Sequence, residues 1–188
     1  MPLPELESPR LRLRALQESD IEELYHLWIN PEVRRHLWDD QVISRELAAE
    51  TVRPSLLSAE TEALGMWMVF RKDNGSLAGF CGFRRIAGSS EVELLYGLWP
   101  HFWGQGLATE ASRAAVEWLF VTHDLDRVLA GADLANTASF RVMRRLKMTP
   151  IEGKVAAVPG AQYYELRRAV DSFGNLAGAV SLREAEPG

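Results

Sequence analysis

A pair of glycines in front of a helix-like segment is the first feature of this chain that could do chemistry. Gly104 and Gly106 flank Gln105, directly after an apolar run at residues 91–99 and directly before a helical periodicity that begins at Leu107. A strand that passes through glycines into a helix presents free backbone N–H groups and the positive end of the helix dipole. Glycine also lets an anion approach the backbone, because it has no side chain. The spacing therefore predicts an anion site, most naturally one for phosphate.

Three kinds of phosphate site could use such glycines. A Walker loop requires a lysine after the second glycine, and Leu107 stands there. A dinucleotide fingerprint requires a third glycine where this chain has Thr109, and an early βαβ unit, although Asp126 lies at the expected distance for its acidic residue. The third kind is the pyrophosphate loop of an acyl-CoA site. The residues exclude the first kind, disfavour the second and leave the third.

The elements that would position this loop follow from the hydrophobic periodicity. Leucines alternate with arginines at residues 10–16, which predicts a half-buried strand. A helix should follow, with Ser19 as its N-cap and Glu22 completing a capping box. A second helix is expected over residues 44–62, with an interruption at Pro54.

The middle and the end of the chain differ in their pattern. Three apolar runs, LGMWMVFRK, SLAGFCGFRRI and EVELLYGLW, are separated by the turn sequences KDNG and AGSS, which predicts an antiparallel meander. A helix from Leu107, a strand at 126–134, a helix at ANTASFRVMRRL and two last strands, MTPIEGKVA and AQYYELRRA, should follow. The prediction is an α/β fold with a mixed sheet: an N-terminal meander, then a βαβ crossover, with helices on both faces. Residues 1–170 form one domain, and 171–188 a tail.

Composition limits the function classes. The 188 residues are 47% hydrophobic, carry a net charge of −5 and have dispersed basic residues, which favours one globular domain and argues against nucleic acid binding. Cys81 is the single cysteine, so neither an internal disulfide nor a cysteine-based zinc site can form. His36 and His101 lack metal-ligand spacing, and we predict no metal. Without a signal peptide or a long apolar segment, a cytoplasmic, membrane-independent protein is expected.

One segment carries a resemblance to a known family. ELLYGLWPHFWGQGLATEA, residues 93–111, closely resembles the fourth strand and cofactor loop of GCN5-related N-acetyltransferases (the GNAT superfamily), in the branch of the ribosomal-protein N-terminal (Rim-type) acetyltransferases. The similarity extends from SPRLRLRAL to NTASFRVMRRLKM and the Tyr-x-Leu of the last strand. Two residues depart from the superfamily pattern: Trp103 replaces an Arg or Gln, as is usual in the Rim-like branch, and Lys147 replaces a turn glycine.

The resemblance implies acetyl-CoA as cosubstrate. The pyrophosphate would bind the backbone of the glycine loop, and the strand end at Leu98 would pair with the pantetheine. Asn136 would lie on the cofactor side of the next helix, although an asparagine there can also be a plain N-cap. The implied cofactor-binding residues are Leu98, Trp103, Gly104, Gln105, Gly106, Leu107, Ala108, Thr109, Asn136 and Ser139.

The resemblance also implies catalytic residues. An ammonium must lose a proton before it attacks, and the departing thiolate is helped by gaining one. Glu93 matches the family's glutamate and would be the base, unless it is an ordinary solvated strand residue. Met143 stands where many relatives have a tyrosine acid, so Ser139 and, less strongly, Tyr164 are the candidates, with sheet packing as the alternative for Tyr164.

The expected function is therefore acetyl transfer from acetyl-CoA to a primary amine by direct attack in a ternary complex. The Rim-like resemblance favours a protein N-terminal α-amine, as on a ribosomal protein, and a small amine such as a polyamine or an antibiotic is the alternative. A non-catalytic acyl-CoA-binding module, which would need neither Glu93 nor Ser139, is an alternative of another class. The protein is expected to be a monomer or a homodimer.

Overall fold

An eight-stranded sheet runs through the protein in this computed structural model, which describes residues 3–152 and 160–168. Its order is β1-β2-β3-β4-β5-β6-β8-β7, and neighbouring strands are antiparallel except β5 and β6. The strands are β1 (Leu6–Glu7), β2 (Leu11–Ala15), β3 (Met66–Arg71), β4 (Leu77–Arg85), β5 (Val92–Leu98), β6 (Arg127–Asp133), β7 (Thr149–Pro150) and β8 (Ala161–Arg167). The predicted mixed sheet, with its meander β3-β4-β5 and a parallel crossing from β5 to β6, is confirmed.

Helices cover both faces of the sheet. One face packs against α4 and α5 in the larger hydrophobic core, and the other packs against α1 to α3 in a smaller core that includes Trp28 and Phe80. The helices are α1 (Ile21–Ile29), α2 (Pro31–Arg34), α3 (Arg45–Glu62), α4 (Leu107–Thr122) and α5 (Thr137–Arg145). Because α4 connects β5 to β6, its N-terminus lies at the edge where these parallel strands end.

The start of the first helix differs from the prediction. A 3-10 turn at Glu18–Asp20 precedes α1, and the expected capping box of Ser19 and Glu22 does not form. Gln17 and Asp20 form the box instead, with the Gln17 backbone N–H donating to the Asp20 carboxylate at 2.8 Å. The same carboxylate accepts from both Nη atoms of Arg14, at 2.7 and 3.0 Å. The buried Asp20 thus ties the strand to the helix, which an exposed serine could not do.

One further expectation about the helices was wrong. Helix α3 continues through Pro54, so the helix is not interrupted, although proline cannot donate the bond to the carbonyl four residues earlier. Lys147 adopts a φ of +63°, so the turn after α5 keeps the left-handed residue that glycine usually provides. The bond from Met148 N–H to the Met143 carbonyl, at 3.0 Å, closes that turn.

The predicted tail at residues 171–188 lies outside the described residues. Of the strand predicted at residues 148–156, the described part forms only the short β7, and residues 153–156 lie outside the described residues. Within the described ranges, no helix combines the length and apolarity needed to cross a membrane. In the same ranges, no three His, Cys, Asp or Glu residues cluster as metal ligands would.

Candidate active site

The glycine loop turns sharply in front of α4. Gly104 and Gly106 have φ values of +74° and +77°, a region that glycine adopts freely, and Gly106 is the N-cap of α4. No neighbouring protein atom lies within 4 Å of a Cβ built on Gly104, so backbone conformation and not packing requires glycine. The loop lines a first cavity of about 240 Å³ together with the first turn of α4, namely Leu107, Ala108 and Thr109.

Thr109 gives this cavity an unsatisfied polar group. Its side chain is buried, and its hydroxyl has no hydrogen-bond partner among the described residues. A buried hydroxyl without a partner costs about 1–3 kcal/mol, and a phosphate oxygen at the helix N-terminus would remove that cost. The loop and Thr109 therefore fit the pyrophosphate of acetyl-CoA.

A contact between β2 and α4 holds the loop in place. The Glu110 carboxylate accepts from the Arg10 backbone N–H at 2.8 Å, from Arg10 Nε at 2.7 Å and from the Ser8 hydroxyl at 2.8 Å. Arg10 Nη1 donates to the Gln105 carbonyl at 3.0 Å. Burial acts to raise the pKa of Glu110, but the hydrogen bonds from Ser8 and Arg10 outweigh it and lower that pKa overall. We call this contact the Arg10–Glu110 clasp.

Strand β5 leaves its parallel neighbour before it ends. The two strands pair at Glu93 and Leu129, while β5 stays paired with β4 as far as Leu98. Trp99 N–H bonds to the Ala78 carbonyl at 2.9 Å, so the alternation of an antiparallel ladder directs the N–H and C=O of Leu98 toward the β6 side. The Leu98 carbonyl accepts from Trp103 Nε1 at 2.7 Å. The backbone groups of Leu98 were expected to be free for the pantetheine. Its carbonyl is not free, because it accepts the hydrogen bond from the Trp103 indole.

The N-terminus of α5 lies beside this strand end. Asn136 caps the helix by accepting from the Ser139 backbone N–H at 3.1 Å. Asn136 is therefore the N-cap of α5, the alternative role considered for it in the sequence. The Tyr96 hydroxyl donates to the Ser139 carbonyl at 3.2 Å, and burial raises the pKa of Tyr96. Sequence reasoning did not select Tyr96, whose one signal was its position on the strand that leads to the loop.

A second cavity of about 640 Å³ opens on the other face of the sheet, between α3, the segment at residues 36–39 and strands β4, β5, β6 and β8. Five residues line both cavities: Tyr96, Asn136 and Ser139, beside the divergent strands, and His36 and Leu37, in the segment after α2. The two cavities therefore meet where β5 and β6 separate.

Glu93 lies on the floor of the second cavity. Its side chain is 4% exposed, so it is not a solvated strand residue. The exposed Arg84 on β4 donates to its Oε2 from Nε at 2.8 Å and from Nη2 at 2.7 Å. These two charge-assisted bonds fix the orientation of the carboxylate on the cavity floor. Sequence reasoning missed Arg84, which register places opposite Glu93.

The two tyrosines of β8 point to opposite faces. Tyr163 lines the second cavity, where burial first and then the charge of Glu93 raise its pKa to about 12. Tyr164 packs against Phe140 in the larger core, with ring centroids 5.7 Å apart. Glu93 and Ser139 thus line the same cavity, and Tyr164 does not, because successive strand residues alternate between faces. The cavity tyrosine is Tyr163, which the sequence analysis did not select.

Comparisons with known proteins agree with this geometry. The family model for the acetyltransferase (GNAT) domain matches residues 10–149. The uncharacterized N-acetyltransferase p20 of Bacillus licheniformis is 27% identical over 143 residues, covering 75% of this chain and 80% of that protein. An acetyltransferase structure from Agrobacterium tumefaciens has a TM-score of 0.80 at 21% identity, covering 89% of this chain and 96% of the other.

A Rim-type structure is also similar. RimL, described as a ribosomal L7/L12 alpha-N-protein acetyltransferase and solved in complex with coenzyme A, has a TM-score of 0.69 at 26% identity, covering 85% of this chain and 95% of RimL. These matches confirm the family resemblance found in the sequence and its Rim-like character. Because the family model covers well over half of the chain, this protein belongs to the GNAT family of acetyltransferases.

Proposed function

We propose that this acetyltransferase acetylates the N-terminal α-amine of a protein, by direct attack of the amine on acetyl-CoA in a ternary complex. Acetyl-CoA is the acyl donor of the family to which the chain belongs. The observation that carries the proposal is the meeting of the two cavities at Tyr96, Asn136 and Ser139. A thioester held at the end of the first cavity would be within reach of an amine in the second.

Direct transfer agrees with the state of the single cysteine. Cys81 is fully buried, its sulfur lies 3.7 Å from the Ser112 hydroxyl, and burial raises the pKa of its thiol to about 12. A thiol acts as a nucleophile when it is ionised and accessible. Cys81 is therefore unsuited to carry an acetyl group, which supports direct attack of the amine on the thioester.

The proton transfers can be assigned to the residues at the junction. The amine gives a proton to Glu93, directly or through one water, and its nitrogen then attacks the carbonyl carbon. The new C–N bond forms as the C–S bond breaks. The Ser139 hydroxyl gives its proton to the departing thiolate and regains one from the nitrogen, which must lose a second proton to become an amide. Arg84 is a positioning residue, because its two bonds to Oε2 orient the Glu93 carboxylate.

The choice of acceptor is supported by similarity to RimL, whose description names a ribosomal-protein N-terminus as its substrate. The net charge of −5 is compatible with any cationic acceptor. The test measures acetyl-CoA turnover with N-terminal peptides, polyamines and aminoglycosides and identifies the products by mass. Faster turnover of a polyamine or an antibiotic would contradict the protein acceptor, and acetyl-CoA binding without any turnover would favour a non-catalytic module.

Glu93→Gln tests the mechanism. Glutamine keeps the size of the side chain but cannot accept the proton, so turnover should fall by roughly two to four powers of ten near pH 7. Part of the rate should return as the pH rises, because more of the amine is already deprotonated. Acetyl-CoA binding should not change.

The matched control is Glu91→Gln. Glu91 also pairs with an arginine, Arg127, but it is not among the described residues that line either cavity. Its variant should turn over at nearly the parent rate. A Glu93→Gln enzyme as active as the parent at every pH would remove Glu93 from the mechanism.

A further inference from the structure

Buried polar atoms without partners are concentrated in the second cavity. Six such side-chain atoms occur among the described residues. Four of them belong to residues that line this cavity, so they are not scattered packing defects. They are Trp28 Nε1, Trp38 Nε1, Ser55 Oγ and the Tyr163 hydroxyl.

These groups belong to three different walls. Trp28, on α1, is 2% exposed and lies between Trp38 and Phe80, with ring centroids 5.5 and 5.9 Å away. Ser55 belongs to α3, and Tyr163 belongs to the sheet, beside Glu93. The unsatisfied groups therefore belong to residues on several walls of the cavity that contains the proposed base.

The type of these groups limits what could satisfy them. An indole N–H is a donor only, whereas a hydroxyl can donate or accept. Each buried polar group left without a partner destabilises the folded protein, and native proteins keep few of them. A ligand that satisfies this set must bring hydrogen-bond acceptors for the indoles.

The hydrogen-bonding groups of the cavity, and not its charges, argue against a polyamine. Four carboxylates line the cavity: Glu93 pairs with Arg84 at 2.7 Å and Glu62 pairs with Arg85 at 2.7 Å, while Asp39 and Asp133 add negative charge. A polyamine is a chain of methylenes and ammonium groups that offers donors but no acceptors. It would leave the indole N–H groups unsatisfied.

We propose that the amine acceptor carries oxygen acceptors close to its amino group, as a peptide main chain does, and that Trp28, Trp38 and Ser55 donate to them. This inference rests on the proposed acetyl transfer to a protein N-terminus and names the residues that would recognise the peptide main chain beside the amine. The four polar atoms are closed to solvent in the free cleft, so the acceptor reaches them after side-chain rotation, which is common on binding. Trp38 lies on the connection between α2 and α3 and is only partly buried, which leaves its ring room to turn.

Trp38→Phe is the principal test, because phenylalanine keeps an aromatic ring and removes the N–H. We expect the KM for a tripeptide amide to rise about threefold to thirtyfold, the loss of a typical hydrogen bond. The KM for a simple alkylamine, which has no oxygen, should stay the same. Binding of the tripeptide amide to the CoA-loaded protein, measured by calorimetry, should weaken by the same factor.

Ser55→Ala should weaken peptide binding but increase the stability of the free protein. It should raise the KM for the peptide but stabilise the free protein against thermal unfolding, because it removes an unsatisfied hydroxyl. The control is Thr61→Ala on the same helix, whose hydroxyl donates to the Leu57 carbonyl at 2.9 Å. Both variants gain the helix propensity of alanine, so the greater stabilisation expected for Ser55→Ala reports the buried hydroxyl.

Several results would overturn the inference while leaving acetyl transfer intact. One is an equal rise in KM for the peptide and the alkylamine in Trp38→Phe, which would indicate ring packing. Another is a polyamine that is the best acceptor and is insensitive to Trp38→Phe. Turnover of an aminoglycoside but not of peptides would overturn the peptide assignment. If no amine is acetylated although acetyl-CoA binds, the proposed function fails, and this inference fails with it.

Discussion

Gly131 decides where the Tyr163 ring lies. The two residues are partners across β6 and β8, and a Cβ on Gly131 would lie 2.6 Å from two carbons of the ring. The absence of a side chain lets the ring lie over β6, toward Glu93 on β5. The pKa of Tyr163, raised to about 12 by burial and by Glu93, agrees with this placement.

Gly131→Ala should therefore push the Tyr163 ring aside. We expect a loss of stability of about 1–3 kcal/mol, the usual range for overpacking, and a lower kcat. The measurement is urea unfolding of Gly131→Ala alone and in a Tyr163→Leu background. The two changes should be strongly non-additive, because the smaller side chain relieves the clash. Additive effects would show that Gly131 is needed for another reason.

The Ser139 hydroxyl is proposed as the proton donor to the thiolate. A thiolate is a tolerable leaving group, so Ser139→Ala should lower kcat by only about tenfold to a hundredfold. The backbone N–H of Ser139 bonds to Asn136 and survives the change, so acetyl-CoA affinity should stay near that of the parent. An unchanged kcat would return Ser139 to a purely structural role, with the Tyr96 hydroxyl beside it as the next candidate donor.

At the scale of elements, the clasp joins the start of β2 to the first turn of α4. Arg10 and Glu110 are 100 residues apart in sequence, and their bonds fix the loop that would hold the pyrophosphate. Arg71 Nη1 adds a contact to the Gln105 side chain at 3.3 Å. Side chains from other parts of the sheet therefore fix the glycine loop, although glycine residues allow its backbone many conformations.

Because of the clasp, the free energy of unfolding should decrease at acidic pH. The pKa of Glu110 lies below its ordinary value of 4.5 in the folded protein, so its contribution is complete above that value and is lost as the pH falls through the folded pKa. Glu110→Gln should cost about 1–3 kcal/mol at pH 7, and the difference from the parent should shrink as the pH falls below about 4.5. Urea unfolding at several pH values measures this, and a difference independent of pH would contradict it.

At the scale of the whole molecule, ligand binding and folding are coupled. Acetyl-CoA that binds the folded chain should stabilise it by about 2.7 kcal/mol at a hundredfold excess over its Kd. Gly106→Val should abolish this shift, because valine strains a φ of +77° and fills space beside the helix N-terminus. The control is Gly75→Val, at a φ of +71° in the turn between β3 and β4, which should lose stability but keep the shift. A normal shift in Gly106→Val would remove the loop assignment.

Local sequence patterns were enough to predict much of this fold. The glycine loop, the meander and the parallel crossing are all visible in the sequence, because period, turn residues and helix signals act over a few neighbouring residues. The first capping box failed because Asp20 is bonded to Arg14 on the preceding strand, and Lys147 keeps a left-handed φ that its residue type disfavours. In both cases a hydrogen bond between residues five or six positions apart accompanies a conformation that the residue types alone did not indicate.

The identity of the cavity residues was decided by the tertiary structure. Sequence selected Glu93 and Ser139 through a motif, but it could not choose between the adjacent tyrosines of β8, since either face of that strand could have met the cleft. Strand register places Tyr163 over Gly131 and Arg84 opposite Glu93. The unsatisfied indoles are likewise visible only once α1 and the α2–α3 connection meet. Strand and helix signals are local, whereas a binding site is made of side chains that become neighbours only when distant segments pack together.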